Sequence, residues 1–87
     1  MITKKVTIKN PSGLHMRPAG IFVKTVSVFD SEVQFNFKDE TYNAKSMINV
    51  LSAMVKNGDE IELCIDGEDE QQCMEAIVEA IESGLGE

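Results

Sequence analysis

The sequence contains few of the residues that build metal sites and disulfide frameworks. Its 87 residues include no tryptophan, two cysteines and a single histidine. Cys64 and Cys73 form no CxxC motif and have no histidine cluster beside them, so we expect neither a disulfide framework nor a metal site, and we assign no cofactor. Cys73 is expected to pack as a small hydrophobic residue, and Cys64 to be a free thiol that faces away from the core.

Long apolar runs are also missing. No stretch approaches the roughly 18 residues that are needed to cross a membrane. The segment Met1–Val6 lacks the apolar core of a signal peptide. We therefore expect a protein of the reducing cytoplasm that has no direct membrane insertion.

Acidic residues outnumber basic residues by 15 to 8, but the two signs are unevenly distributed. Residues 1–56 hold all eight basic residues and four acidic ones, whereas residues 57–87 hold eleven acidic residues and no lysine or arginine. The negative excess predicts repulsion from nucleic acid, so no direct nucleic-acid partner is expected. The net-positive part can still bind a phosphate or an acidic partner, although charge that merely solvates the surface explains the pattern equally well.

The length predicts one domain over residues 1–87, with a modest core. Alternating apolar and polar residues predict strands over 2–9, 32–37, 41–44 and 61–66. Helical spacing predicts helices that begin near residues 16–18, 46 and 69, the second ending at 57–59 and the third leading to a frayed end at 83–87. The order β-α-β-β-α-β-α predicts an α+β fold, a four-stranded antiparallel sheet with three helices on one face.

The single histidine, His15, lies between a turn and a predicted helix start, in Gly13-Leu14-His15-Met16-Arg17-Pro18-Ala19. Free backbone N–H groups and the positive end of the helix dipole make such a position an anion site. Arg17 adds a guanidinium that can bind phosphate oxygens in a bidentate manner. This combination favours attack of an imidazole nitrogen on a phosphoryl group. From spacing alone, a histidine that is merely tolerated at the surface remains the alternative.

Ser46 begins the second predicted helix. Its simplest role is a helix N-cap, worth about 1 kcal/mol. Phosphorylation is the alternative, because a phosphoserine at a helix start would place new negative charge beside the apolar surface of that helix. Met47, Ile48 and Leu51 occupy more than one face of this helix, so they either all belong to the core or are partly exposed as a docking patch.

These segments resemble those of the HPr family, the histidine-containing phosphocarriers of the bacterial phosphoenolpyruvate-dependent sugar phosphotransferase system. The resemblance spans the whole chain and is carried above all by Gly13–Ala19 and Asn43–Met47, and also by Gly67–Glu70 and Gly84–Glu87. It implies an open-faced β-sandwich, in agreement with the predicted element order.

The resemblance also implies roles for individual residues. His15 would accept a phosphoryl group on Nδ1 from enzyme I and pass it to enzyme IIA domains of sugar permeases, as a phosphoryl-transfer intermediate rather than a free-standing enzyme. Met16, Arg17 and Pro18 would bind the phosphate. Ser46 would be phosphorylated by an ATP-dependent HPr kinase/phosphorylase, and the product would act as corepressor for a catabolite control protein in carbon catabolite repression.

The same resemblance implies a docking surface. We expect a monomer, because that is the simplest state for a small carrier that must meet several partners. Met47, Ile48 and Leu51 would form an apolar docking patch with Lys24 and Lys45 at its positive rim. Family members usually carry glycine where Met54 stands, so this position departs from the pattern. Gly20, inside the first helix, is expected to cost about 1 kcal/mol relative to alanine.

Two other classes of function are open. One is a mainly regulatory protein that acts through phosphorylated Ser46, similar to the catabolite-repression homologue, a relative that lacks the active histidine. The other is an acyl carrier protein, which needs Asp-Ser-Leu at a helix start. Here Asp30-Ser31 is followed by Glu32 and a predicted strand, which argues against that class.

Overall fold

The computed structural model describes all residues from Met1 to Glu87. Its elements are β1 (Ile2–Thr7), α1 (Met16–Ser27), β2 (Glu32–Phe37), β3 (Glu40–Asn43), α2 (Met47–Ser52), β4 (Glu60–Asp66) and α3 (Glu70–Glu82). The strands form one antiparallel sheet in the order β1-β4-β2-β3. The predicted open-faced sandwich and its element order are therefore confirmed. None of the three helices is long and apolar enough to span a membrane.

The core lies between the sheet and the helices because each strand points its apolar residues to one side. In the pairing of β2 with β4, Val33 lies opposite Ile65 and Phe35 lies opposite Leu63, and all four side chains are buried. Phe35 also meets Phe22 of α1 edge-on, with 5.7 Å between ring centroids. This contact packs α1 against the sheet.

The two cysteines lie on different sides of the sheet, as predicted. Cys73 of α3 is fully buried in the core, where desolvation raises the pKa of its thiol. Cys64 of β4 is half-buried, and its Sγ lies 3.6 Å from Asn36 Nδ2. Desolvation raises the pKa of the Cys64 thiol as well. Neither thiol is part of a disulfide.

The second helix is shorter than the sequence predicts. It ends at Ser52 instead of residues 57–59, with Ala53 as its C-cap. The next residue, Met54, has a φ of 55°, in the left-handed region that ends many helices. Methionine is a good helix former and rarely adopts this conformation, so the pattern of residues could not reveal the early end.

The prediction of a frayed end at 83–87 is wrong. Leu85 is only 1% exposed and belongs to the core. Gly86 adopts a φ of 84° against Ile21, and a Cβ there would overlap Ile21 Cδ1. The segment after α3 is thus packed against α1 rather than free in solvent.

Replacing Leu85 with alanine should destabilise the protein by about 2–5 kcal/mol, because it leaves a cavity in the core. Urea unfolding monitored by circular dichroism measures the change. Val28→Ala is the matched control, since Val28 is 77% exposed and should change stability little. Equal stability of Leu85→Ala and the wild type would mean that the segment after α3 does not contribute to the core.

Candidate functional site

His15 lies at the N-terminus of α1 as its N-cap residue. Its backbone is extended, with φ −78° and ψ −179°, and its carbonyl accepts a hydrogen bond from Ala19 N at 2.7 Å. The imidazole does not cap the helix and is exposed to solvent. The fold therefore holds the backbone of His15 while it leaves both ring nitrogens accessible to another molecule.

The first turn of α1 offers fewer amide donors than the sequence analysis assumed. Met16 and Arg17 have N–H groups without an intrahelical partner, and the first turn contains no acidic side chain. Pro18 has no N–H, so it cannot donate to a phosphate. Its buried ring instead fits the first helical turn, where proline is well tolerated. An anion at this position would be held by two amides and the Arg17 guanidinium.

The loop before His15 is fixed against the segment that follows α2. Leu14 N donates to Val55 O at 2.9 Å, and Gly13 N donates to Asn10 O at 3.1 Å. Gly13 has a φ of 65°, and a Cβ on it would lie 2.5 Å from the same Val55 oxygen. Only glycine fits this close approach, which explains why it stands two residues before the histidine.

A cavity of about 600 Å³ adjoins His15. Leu51 and Met54, from the end of α2, form part of its apolar wall, and Lys56 adds a positive charge. The cavity joins the start of α1 to the end of α2, two regions that are far apart in the sequence.

The side-chain carboxylate of Glu87 also lies at this loop. It accepts hydrogen bonds from Ser12 Oγ at 2.6 Å, Ser12 N at 3.1 Å and Asn10 Nδ2 at 2.9 Å. The bond from the Ser12 hydroxyl, followed by those from Asn10 and the Ser12 amide, holds the pKa of Glu87 below its usual range, and the nearby charge of Arg17 adds to the effect. Sequence reasoning missed Glu87 because no spacing rule connects it with Ser12.

Ser46 is the N-cap of α2, as predicted. Its Oγ accepts hydrogen bonds from Asn49 N at 3.3 Å and from Asn49 Nδ2 at 3.2 Å. Ser46 is half-buried, and its hydroxyl stabilises the helix start.

The proposed docking patch on α2 is partly exposed. Ile48 is 80% exposed, whereas Met47 and Leu51 are half-buried. The alternative in which all three belong to the core is therefore excluded for Ile48. Met47 also lies close to α1, since a Cβ on Gly20 would be 3.9 Å from Met47 Cε.

The two lysines assigned to the rim of this patch lie in different environments. Lys24 is exposed and stands seven residues after Arg17, which puts both on the same side of α1. Lys45 Nζ donates to Phe29 O at 2.6 Å, just beyond the C-terminal end of α1. His15 is at the other end of this helix, and twelve residues rise about 18 Å. The structure therefore brings Lys24 closer to the histidine than Lys45.

The chain resembles known phosphocarriers over most of its length. The family model PTS-HPr, the PTS HPr component phosphorylation site, matches residues 2–83. The HPr-like protein Crh of Halalkalibacterium halodurans is 38% identical over 82 residues, which cover 94% of this chain and 98% of that protein.

Solved structures show the same fold. The crystal structure of HPr-C-His from Thermoanaerobacter tengcongensis is 39% identical, with a TM-score of 0.97 over 100% of this chain and 98% of that one. A crystal structure of an HPr dimer from the same organism, also 39% identical, gives a TM-score of 0.80 and covers 100% of both chains.

The contacts of Glu87 predict a pH-dependent contribution to stability. Its pKa is lowered on folding, so the contribution is fully present above the unfolded value of about 4.3 and is lost as pH falls through the folded value. We expect Glu87→Gln to melt at a lower temperature than the wild type at pH 7. The difference should disappear in strong acid, where both side chains are neutral.

Thermal melts between pH 2 and pH 7 test this expectation. Glu79→Gln is the matched control, because Glu79 is an exposed carboxylate on α3 away from the loop. Its melting curve should follow that of the wild type throughout. A constant difference between wild type and Glu87→Gln at all pH values would contradict the role of the charged carboxylate.

Proposed function

The chain belongs to the HPr family of the phosphotransferase system, and we propose that it carries phosphoryl groups on His15. The donor is enzyme I, and the acceptors are enzyme IIA domains of sugar permeases. The observation that carries this proposal is an exposed, unbonded imidazole fixed at the N-terminus of α1 beside Arg17. A protein that acts only as a regulator through another residue has no need of such a nucleophile.

The transfer is a nucleophilic displacement at phosphorus. Nδ1 of His15, whose ring proton is on Nε2, attacks the phosphoryl group of the donor's phosphohistidine, whose ring carries a proton on its unphosphorylated nitrogen. The new N–P bond forms as the donor's N–P bond breaks, and the donor ring leaves as neutral imidazole. No proton has to be removed from His15 for the attack. Transfer to the next protein repeats the same step with His15 as the leaving group.

The protein stabilises the transferred group by electrostatics and position. The Arg17 guanidinium can hold two phosphate oxygens, and the N–H groups of Met16 and Arg17 with the helix dipole add further positive charge. The two N–H groups are already in place at the helix start, so little backbone reorganisation is needed during transfer.

Phosphorylation of Ser46 is a second proposed activity, and it is regulatory. An HPr kinase/phosphorylase would transfer phosphate to the Ser46 hydroxyl, and a catabolite control protein would bind the product. Support comes from the position of Ser46 at the N-cap of α2, directly before Met47 and Ile48. A phosphoserine there can keep its hydrogen bonds to the helix amides while its charge changes what the neighbouring apolar surface binds.

The surface for partner proteins in this proposal consists of Met47, Ile48 and Leu51 with Lys24 at its positive edge. Ile48 should contribute most to the binding free energy, because an exposed isoleucine has the most apolar surface to bury in a complex. Lys45 is less suited to contact a partner at this surface, because its ammonium group already donates a hydrogen bond to Phe29 O. The protein would meet these partners in the cytoplasm.

Similarity to both HPr and Crh leaves a mainly regulatory protein as the second candidate. His15 favours the carrier, because the sequence retains the residue that such a regulator lacks. Incubation with enzyme I and phosphoenolpyruvate should therefore produce an acid-labile, base-stable phosphate on the wild type. His15→Ala should carry none, and Arg17→Ala should be labelled more slowly.

Ser46→Ala serves as the matched control and should be labelled like the wild type. Label that survives in His15→Ala would refute the assignment of the acceptor. Absence of histidine label together with phosphorylation of Ser46 by the kinase would favour the regulatory protein.

A monomer is the simplest oligomeric state for a carrier that must expose His15 to several partners in turn. Light scattering in solution should therefore give the mass of a single chain. A mass twice as large would contradict this part of the proposal and would place the protein with the dimeric HPr of Thermoanaerobacter tengcongensis.

A further inference from the structure

Met54 combines an unfavourable backbone conformation with an exposed side chain. Its φ of 55° lies in the left-handed region, which glycine adopts without penalty but methionine rarely does. The side chain is 68% exposed, so it contributes little to the core. Methionine at this position therefore does not stabilise the fold. Residues held in such unfavourable backbone conformations cluster at functional sites.

The position of Met54 connects it with the phosphoryl site. Its N–H donates to Leu51 O at 3.2 Å as α2 ends, and the following residue, Val55, accepts the hydrogen bond from Leu14 N next to His15. Met54 and His15 line the same cavity. The Met54 side chain is therefore part of the surface beside the imidazole.

Two other exposed apolar residues belong to α1 and α2, the two helices that adjoin this cavity. Of the five large hydrophobic side chains that are exposed, Met16 follows His15 directly, Ile48 is on α2, and Met54 follows that helix. Met16 is 68% exposed, as Met54 is. Methionine is flexible and polarisable, so a pair of methionines can adapt to the surface of a bound protein.

We propose that Met54 is a specificity-determining residue that packs against the phosphohistidine-bearing donor protein and selects a donor with an apolar surface beside its phosphorylated ring. The inference rests on the proposed function of His15. For the phosphoryl group to pass between two imidazoles, the donor ring must reach His15, which brings the donor surface onto the cavity wall that Met54 forms. Because Met54 lines the same cavity as His15, the protein that contacts Met54 is the one that delivers the phosphoryl group.

The expected kinetic effect follows from where Met54 acts. It contacts the docked protein but not the transferred phosphoryl group, so it should stabilise the bound complex and the transition state equally. Loss of the side chain then raises KM for the carrier and leaves kcat unchanged. Burial of a methionine side chain is large enough to account for a roughly tenfold change in KM.

The test measures phosphorylation by enzyme I and phosphoenolpyruvate as a function of carrier concentration. Met54→Gly should raise KM about tenfold with kcat within about twofold of the wild type, and its melting temperature should rise because glycine fits the left-handed backbone. Met54→Leu keeps an apolar side chain and should keep KM near that of the wild type.

Asp39→Gly is the matched control. Asp39 is also an exposed, non-glycine residue in the left-handed region, with a φ of 65°, but it lies in the turn between β2 and β3. This variant should gain stability in the same way and show no change in KM.

Each contrary result has a distinct meaning. An unchanged KM in Met54→Gly, or a fall in kcat alone, would overturn the inference while the label on His15 still supported the phosphocarrier. If the wild type acquired no acid-labile phosphate, the phosphocarrier function would be refuted first, and the inference with it.

Discussion

The hydrogen bond from Leu14 N to Val55 O is the contact on which the site depends. Both residues are buried, and loss of such a bond inside a protein leaves a carbonyl without a partner. Gly13 permits the approach, because any side chain there would collide with the Val55 oxygen. This backbone contact therefore holds the loop before His15 against the segment that follows Met54, and both residues line a shared cavity.

The net-positive and acidic parts of the chain supply different parts of the folded structure. The net-positive first part supplies His15, Arg17 and Lys24, whereas the acidic last third supplies β4 and α3. The two parts are not fully separated, because Glu87 returns to the loop before His15 and lies near Arg17. The charge of Arg17 thus adds to the lowering of the Glu87 pKa in the free protein.

Local patterns predicted most of the fold, and long-range contacts account for the errors. Alternation in strands and spacing in helices are properties of neighbouring residues, and so is the N-cap at Ser46, which the structure confirms. The early end of α2 depends on Met54 adopting a conformation that its side chain disfavours. The segment after α3 is anchored by distant residues, since Gly86 packs against Ile21 and Glu87 accepts hydrogen bonds from Asn10 and Ser12, and the surrounding sequence carries no sign of these contacts.

His15 has a fixed backbone and a side chain without hydrogen-bond partners. This combination determines which residues can select among phosphoryl donors in the proposed function. The helix start and the Leu14 contact hold the nucleophile in place, which favours transfer. The imidazole itself has no intramolecular partner that could distinguish one phosphoryl donor from another. In the proposed function, Arg17 and the amides bind phosphate, which every donor carries. Discrimination would then come from side chains around the cavity, and Met54, which is exposed there and has a left-handed backbone conformation, is the residue that we propose for it.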